Sequence, residues 1–406
     1  MALIVQKFGG TSVADAERIM AAARRVLDTH AKGNNMVVVV SARGKMTDEL
    51  IELATEINPE PPPREMDMLL STGEQQSIAL MAMALEQLGQ EAISFTGAQV
   101  GLVTDNRHSK ARIQEVGTEQ IQNALQAGKI VIVAGFQGVD ANQNITTLGR
   151  GGSDTTAVAL AAVLKADLCE IYTDVDGVYT ADPRRVPQAR KLDVITYDEM
   201  LELASMGAKV MHSRAMEFAK KYQVPLKVRS SFSDAEGTLI CEETPDMEEV
   251  VVRGAAINTD EAKVTIHAVP DKPGVAAVVF ADLADTGVNI DMIVQNVSER
   301  GQTDITFTVG QGELGLAMDT AKATSDKIGA KDVSSDADIA KLSVVGIGMR
   351  SHSGVASTMF STLAENGVNI QMISTSEIKI SCVIDEASAD KALQAVHTAF
   401  GLDCDT

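Results

Sequence analysis

Three short segments concentrate the glycine, hydroxyl and charged residues that phosphate chemistry needs. The first, Lys7-Phe8-Gly9-Gly10-Thr11-Ser12, follows an apolar run and precedes a helical pattern. Glycines there admit close backbone approach, outward amides can receive an anion, and Lys7 adds a positive charge. The second, Gly149-Arg150-Gly151-Gly152-Ser153-Asp154-Thr155-Thr156, opens another helical pattern. Its amides and hydroxyls suit phosphate, Arg150 offers a planar fork for a carboxylate, and Asp154 is a candidate organiser of a metal or a lysine. The third runs from Thr173 to Arg184 (TDVDGVYTADPR). There Tyr179 can cover a purine, Arg184 can reach polyphosphate, and the acids can hold ribose or water. Either glycine loop alone also reads as a tight turn with a capped helix start, but two of them in one α/β region together favour anion binding. No GxxxxGK[ST] loop occurs, and DVDGVYTADP lacks the ligand ladder and final Glu of an EF-hand.

The elements that must hold these loops follow from periodicity. Leu3 to Val5, Met36 to Val40, Ile130 to Ala134 and Leu168 to Tyr172 read as buried strands. Helical spacing over 12–30, 47–57, 74–88, 118–127, 154–164 and 208–222 alternates with them, and Pro59 to Pro63 ends one helix in a loop. Such alternation predicts an α/β three-layer sandwich over residues 1–240. CEETPDMEE, residues 241–249, has the composition of an exposed linker.

Beyond the linker, Gly274–Ile293 matches Gly354–Ile373 at an offset of 80, with 12 of 20 positions identical. Each copy has a strand-like run before it (Ala262 to Val269; Ile339 to Ile347) and after it (Thr303 to Val309; Ile378 to Ile384). The pattern predicts two ferredoxin-like βαββαβ units, over 250–335 and 336–406. The second has too few residues left for its own closing strand, so Val250 to Ile257 is expected to cross back and supply it.

Bulk properties narrow the partners. With 35 Lys plus Arg against 56 Asp plus Glu, the net charge of -21 disfavours nucleic acid and anionic membranes. No apolar run reaches membrane-spanning length and no secretory leader is legible, so a cytoplasmic protein is expected. Cys169, Cys241, Cys382 and Cys404 have no metal-ligand spacing, which predicts reduced thiols and no permanent metal site.

KFGGTS, GRGGSDTTA and TDVDGVYTADPR together resemble the amino-acid kinase superfamily, and the aspartate kinase family within it; the repeated units are similar to that family's paired ACT domains. The resemblance spans essentially the whole chain. It implies an ATP-dependent phosphotransferase acting on the β-carboxylate of L-aspartate, with Mg²⁺ accompanying ATP and with Lys7 and Asp154 as catalytic residues. Lys7, Phe8, Gly9 and Gly10 resemble the ATP phosphate site, and Thr173, Asp174, Tyr179, Arg184, Lys209 and Val210 the nucleotide pocket. The aspartate side is similar to Ser41, Thr47, Glu74, Arg150, Gly151, Gly152 and Ser153. Glu74 would pair with the substrate ammonium and Arg150 with its α-carboxylate, although Glu74 also reads as an ordinary acid at a helix start. Lys7 is expected to face outward and to contribute little to the core.

The resemblance further implies lysine and/or threonine as effectors. One effector site would involve Asp271, Lys272, Pro273, Gly274, Val275, Ala276, Asn289, Ile290, Asp291 and Gln295. Another would involve His352, Ser353, Asn369, Ile370, Ser376 and Glu377. A homo-oligomer through the ACT-like units is implied, and Met247 could begin a separate regulatory chain. A kinase with another acceptor, such as glutamate or acetylglutamate, and an inactive amino-acid sensor remain the alternative readings.

Overall fold

The structure, a computed structural model, describes residues 1–206, 210–243, 251–296 and 301–404. Its contacts divide the chain into two compact units.

In the first unit β1 (Leu3–Phe8), β2 (Asn35–Val40), β6 (Ile130–Ala134) and β9 (Leu168–Thr173) are the apolar runs made into strands, adjacent and parallel. Such runs lack polar alternation because a parallel sheet is covered on both faces. With β3 (Ala92–Phe95), β10 (Val194–Thr196), β11 (Leu226–Ser230) and β12 (Thr238–Cys241), the order across the sheet is β10-β12-β11-β9-β1-β2-β6-β3. A second sheet, ordered β5-β4-β7-β8, is built from β4 (Leu102–Thr104), β5 (Ile113–Val116), β7 (Gln137–Val139) and β8 (Ile145–Thr147). Strands of three or four residues are too short for periodicity to announce them.

Helices cover both faces of the large sheet. α1 (Ala16–His30) starts where Asp15 Oδ1 accepts from the Arg18 amide at 2.9 Å. Alternation along β1 turns Ile4 and Phe8 toward α1 and α3 (Pro63–Gln87), into a core with Ile19, Val26, Ile78 and Met81. The same alternation turns Val5 and Lys7 to the opposite face, where α5 (Gly152–Leu164) packs on β1 and β9. Gly152 through Ala161 are all buried, which is why that helix is written in small residues. α2 (Met46–Ile57), α4 (Glu119–Gln126), α6 (Tyr197–Ser205) and α7 (Ser213–Tyr222) complete the unit.

The helix expected from Glu74 begins instead at Pro63, whose missing N–H is no loss at a first helical position. The proline cluster therefore both ends α2 and starts α3, and Glu74 lies in mid-helix.

The second unit carries the repeat as structure. β14 (Glu261–Pro270), α8 (Val275–Asp285), β15 (Ile290–Gln295), β16 (Gln302–Gly310), α9 (Leu314–Ile328) and β17 (Asp332–Asp336) form one βαββαβ layer, with sheet order β15-β16-β14-β17. β18 (Ile339–Val345), α10 (Val355–Glu365), β19 (Ile370–Thr375), β20 (Lys379–Asp385) and α11 (Ala389–Ala399) form the other. β13 (Gly254–Asn258) lies antiparallel beside β18, giving the order β13-β18-β20-β19. The segment expected to cross back, 250–257, overlaps this strand; Val250 and most of the linker lie outside the described residues. Gly274 and Gly354, at φ of +94° and +99°, make the same left-handed entry into α8 and α10.

Thr180–Arg190, expected within 1–240, groups with the second unit. Ala181 and Val186 join the core under β18 and α11. Thr180 Oγ1 lies 2.9 Å from His397 Nε2, and Arg185 pairs with Asp390 at 2.8 Å. The chain thus leaves the first unit after Tyr179, contributes eleven residues to the second and returns at Lys191.

Candidate active site

Register brings the sequence motifs to one edge. Phe8 is level with both Val40 and Tyr172, and Val40 with Ala134, so the loops after β1, β2, β6 and β9 leave together. Backbone bonds tie neighbouring loops: Gly9 N to Tyr172 O at 3.2 Å, Ser41 N to Phe8 O at 3.1 Å, and Gly135 N to Val40 O at 3.1 Å. Ligands of open α/β sheets bind at this carboxyl edge, where the connections diverge to either side. Here β1 has β2 on one side and β9 on the other. Gly10 is required by closeness, since a Cβ there would lie 2.7 Å from Ala42 O. Its carbonyl accepts from Gly44 N at 2.9 Å, holding the Lys7–Gly10 loop against the Ser41–Gly44 loop.

Lys7 does not face outward. Its side chain and that of Asp154 are 11% and 13% exposed and form an ion pair at 2.6 Å. Asp154 stands in the first turn of α5, and the inward register of Lys7 on β1 delivers the ammonium to it. Lys7 is thus held at the edge from which Gly9 and Gly10 follow.

Glu74 is buried at 3% exposure and accepts from Ala42 N at 3.0 Å through Oε1, while Oε2 is buried without a hydrogen-bond partner. Burial pushes its carboxyl up to about 7, against the smaller opposing pull of the Ala42 amide. A buried carboxylate with a free oxygen beside the Ser41 loop can, when ionised, receive a cation. Ser41 and Thr47, half-buried, flank that loop.

The Gly149–Ser153 turn is shaped by contacts no sequence pattern reports. Gly151 has φ of +69°, and a Cβ there would lie 2.3 Å from the Cβ of His212. His212, missed by the sequence reading, precedes α7 and holds a buried Nδ1 without a hydrogen-bond partner. A lone histidine in VMHSR carries no signal that could have selected it. Ser153 is buried against Gly135, whereas Arg150 is exposed and available to a ligand.

Among the nucleotide candidates, Thr173 Oγ1 donates to Asp174 at 3.0 Å and Tyr179 OH to Asp176 at 2.8 Å. Burial and that bond raise the Tyr179 phenol, which keeps it a neutral donor. Val210 is half-buried, and Lys209 lies outside the described residues. Arg184 belongs to the second unit and forks onto Asp182 at 2.8 to 3.2 Å. No cluster of three or more His, Cys, Asp or Glu suited to a metal occurs among the described residues. No described helix is long and apolar enough to cross a membrane.

Of the effector candidates, Asp271, Lys272, Pro273, Gly274, Asn289 and Gln295 are exposed, and Val275, Ala276 and Ile290 half-buried. Asp291 is engaged by Lys341, which also pairs with Glu261 at 2.5 Å. In the second copy His352, Ser353, Asn369, Ser376 and Glu377 are exposed and Ile370 half-buried, with Glu377 3.5 Å from Arg350.

This architecture, a parallel sheet with two glycine loops at one edge and paired ferredoxin-like layers, matches known proteins throughout. Residues 2–230 match the amino acid kinase family, and residues 264–326 and 342–400 each match an ACT domain. The aspartokinase of Pseudomonas aeruginosa is 56% identical over 405 residues, covering 99% of this chain and 98% of that protein. The crystal structure of Escherichia coli aspartokinase III with aspartate and ADP (R-state) is 28% identical, with a TM-score of 0.84 over 98% of this chain and 99% of that one. The same enzyme with lysine and aspartate (T-state) has a TM-score of 0.75 over the same shares. The chain belongs to the amino acid kinase family, in its aspartokinase group, and carries two ACT domains.

Proposed function

We propose that the chain transfers the γ-phosphoryl of MgATP to the β-carboxylate of L-aspartate, giving 4-phospho-L-aspartate and ADP at the head of lysine, threonine and methionine synthesis. The observation that carries this reading is Glu74, a buried carboxylate with one oxygen free, on the same sheet edge as the Lys7–Asp154 pair. An amino-acid acceptor needs an ammonium partner; an acceptor with an acylated amine would find an unpaired carboxylate there. A β-carboxylate with a pKa of ~3.9 is ionised at neutral pH, so no general base is needed. Its oxygen attacks the γ-phosphorus, the bond to the β,γ-bridging oxygen breaks, and ADP leaves with that electron pair. The protein's task is to align the two anions and neutralise the charge between them. Lys7 and the Gly9–Gly10 amides serve the phosphates, and Mg²⁺ enters with ATP. The test is turnover of ATP with aspartate and capture of the product by hydroxylamine as the hydroxamate; equal turnover of acetylglutamate would exclude the reading.

Arg150→Lys is expected to raise the aspartate KM about tenfold with little change for ATP, because a point charge cannot replace a bidentate fork on the α-carboxylate. Initial-rate kinetics with each substrate varied decide it; unaltered aspartate kinetics would remove Arg150 from the site.

Feedback inhibition by lysine, threonine or both is the regulatory part of the proposal, acting on a cytoplasmic homo-oligomer joined through its ACT domains. The lysine-bound T-state of the Escherichia coli enzyme supports it, as does the Thr180–Arg190 excursion. The Thr173–Tyr179 loop runs without a break into residues anchored in the regulatory unit, so a rearrangement of that unit pulls on the nucleotide loop. Asp271→Ala, at an exposed turn before α8, is expected to leave uninhibited turnover near normal while raising the inhibitor concentration for half-inhibition at least tenfold. Inhibition curves with lysine, threonine and their mixture measure this; an unshifted midpoint places the effector elsewhere.

A further inference from the structure

Asp67 is fully buried on α3, seven residues before Glu74 and so two turns along the same buried helix face. An isolated carboxylate there would be costly, yet Asp67 is surrounded by donors. Oδ1 accepts from Thr147 Oγ1 at 2.6 Å and from the Ser109 amide at 3.0 Å. Oδ2 accepts from the same amide at 3.1 Å and lies 2.7 Å from His108 Nδ1.

Those donors belong to two chain segments that meet at the Arg150 turn. Thr147 ends β8, three residues before Arg150. Ser109 takes a left-handed φ of +66°, and its carbonyl would stand 2.9 Å from a Cβ on Gly149. The Ala111 amide bonds Thr147 O at 2.9 Å. From α7, Arg214 closes the same layer by donating to Leu148 O at 2.8 Å and Ala111 O at 2.7 Å. A strained backbone at a non-glycine residue persists only where its surroundings over-determine it, and Asp67 supplies both acceptors.

We propose that Asp67 is a positioning residue for the acceptor substrate: through Ser109, His108 and Thr147 it fixes the Gly149–Gly151 turn, and with it Arg150, at a set distance from Glu74 on its own helix. With the ammonium partner and the α-carboxylate partner at a fixed span, the Cα that carries both groups is held in one place, and from there the side-chain carboxylate is presented. The inference rests on the reading of Arg150 as the α-carboxylate partner. Asp67 touches neither substrate nor nucleotide in this arrangement.

The test is a double-variant cycle in the full chain with Asp67→Asn and Arg150→Lys. Asp67→Asn keeps the shape but puts an amide where a carboxylate must accept from three groups. The aspartate KM is expected to rise about tenfold, with kcat and the ATP KM within about twofold. Combined with Arg150→Lys, the loss should be far smaller than the product of the two single losses, since one residue acts through the other. Should Asp67→Asn not fold, His108→Ala removes one donor from a partly exposed position and is expected to raise the aspartate KM about threefold, again non-additively with Arg150→Lys. Independent, multiplying effects, or equal damage to aspartate and ATP, would overturn the proposal. If Arg150→Lys alone changes nothing while Asp67→Asn raises the aspartate KM, the assignment of Arg150 fails and the cycle, now multiplicative, refutes the route through it.

Discussion

Replacing Lys7 by alanine will lower kcat about 10³-fold, the loss of ~4 kcal/mol typical of a buried donor aimed at charge developing in a transition state. Its burial adds a second effect that an outward-facing lysine would lack. Lys7 neutralises Asp154 inside the sheet edge at 2.6 Å, and its removal leaves that carboxylate with an uncompensated charge. Breaking such a pair from one side costs about 1–3 kcal/mol here, below the fully buried range because both side chains keep some contact with water. Lys7→Ala should therefore lose thermal stability as well as turnover. Adding Asp154→Asn to Lys7→Ala separates the two effects, since the neutral pair regains stability and stays inactive. Recovery of kcat in that double variant would show that Lys7 acts only by partnering Asp154.

Glu74→Gln will weaken aspartate by about 10²-fold and ATP by less than twofold, because a charge-assisted bond to the ammonium is exchanged for a neutral amide in a buried place. The wild-type pH dependence follows from the raised carboxyl, which burial holds at about 7. In the proposed role of Glu74 the ammonium of aspartate needs its carboxylate ionised, so binding must expel the proton wherever the free enzyme carries it. Apparent aspartate affinity should fall as pH drops below about 7, by at most tenfold per pH unit, and level off above it. Stability has the opposite sign. Because the folded carboxyl titrates above its unfolded value, the folded state binds more protons between about 4.5 and 7. Glu74's contribution to stability therefore declines as pH rises through that window. In Glu74→Gln both dependences should vanish; a pH profile for aspartate that survives unchanged would assign the titration to another group.

Much of this was legible in the chain because the relevant physics is local. Valine- and isoleucine-rich runs separated by helical spacing specify a parallel sheet, since only strands covered on both faces dispense with polar alternation. The 80-residue offset places α8 over α10 and β15 over β19 residue for residue, as a repeated supersecondary unit must. Glycine loops at strand-to-helix turns marked the candidate phosphate edge, and at Gly10 the close approach of Ala42 O leaves no room for a side chain. Short strands such as β4 and β8 stayed hidden because three residues are too few to show a period, and β4 takes a further partner, β7, through Val103 and Val139.

What only the tertiary structure decided is the state of the charged groups. Glu74 in STGEQQ by itself reads as an ordinary acid at a helix start until α3 is extended to Pro63 and packed under the Ser41 loop, where burial raises its carboxyl and one oxygen is left without a partner. Lys7 reads as an outward cation until the pleat of β1 turns it to α5. His212 and Asp67 are single polar residues in ordinary patterns; the first acquires meaning by lying against Gly151, the second by collecting donors from Ser109 and Thr147. Thr180–Arg190 reads as the tail of a nucleotide loop, and its place in the second unit comes from long-range contacts with Asp390 and His397. Solvation, pairing and the free energy of a buried charge depend on neighbours brought together by the fold, whereas periodicity and turn chemistry are properties of adjacent residues and are written in the chain itself.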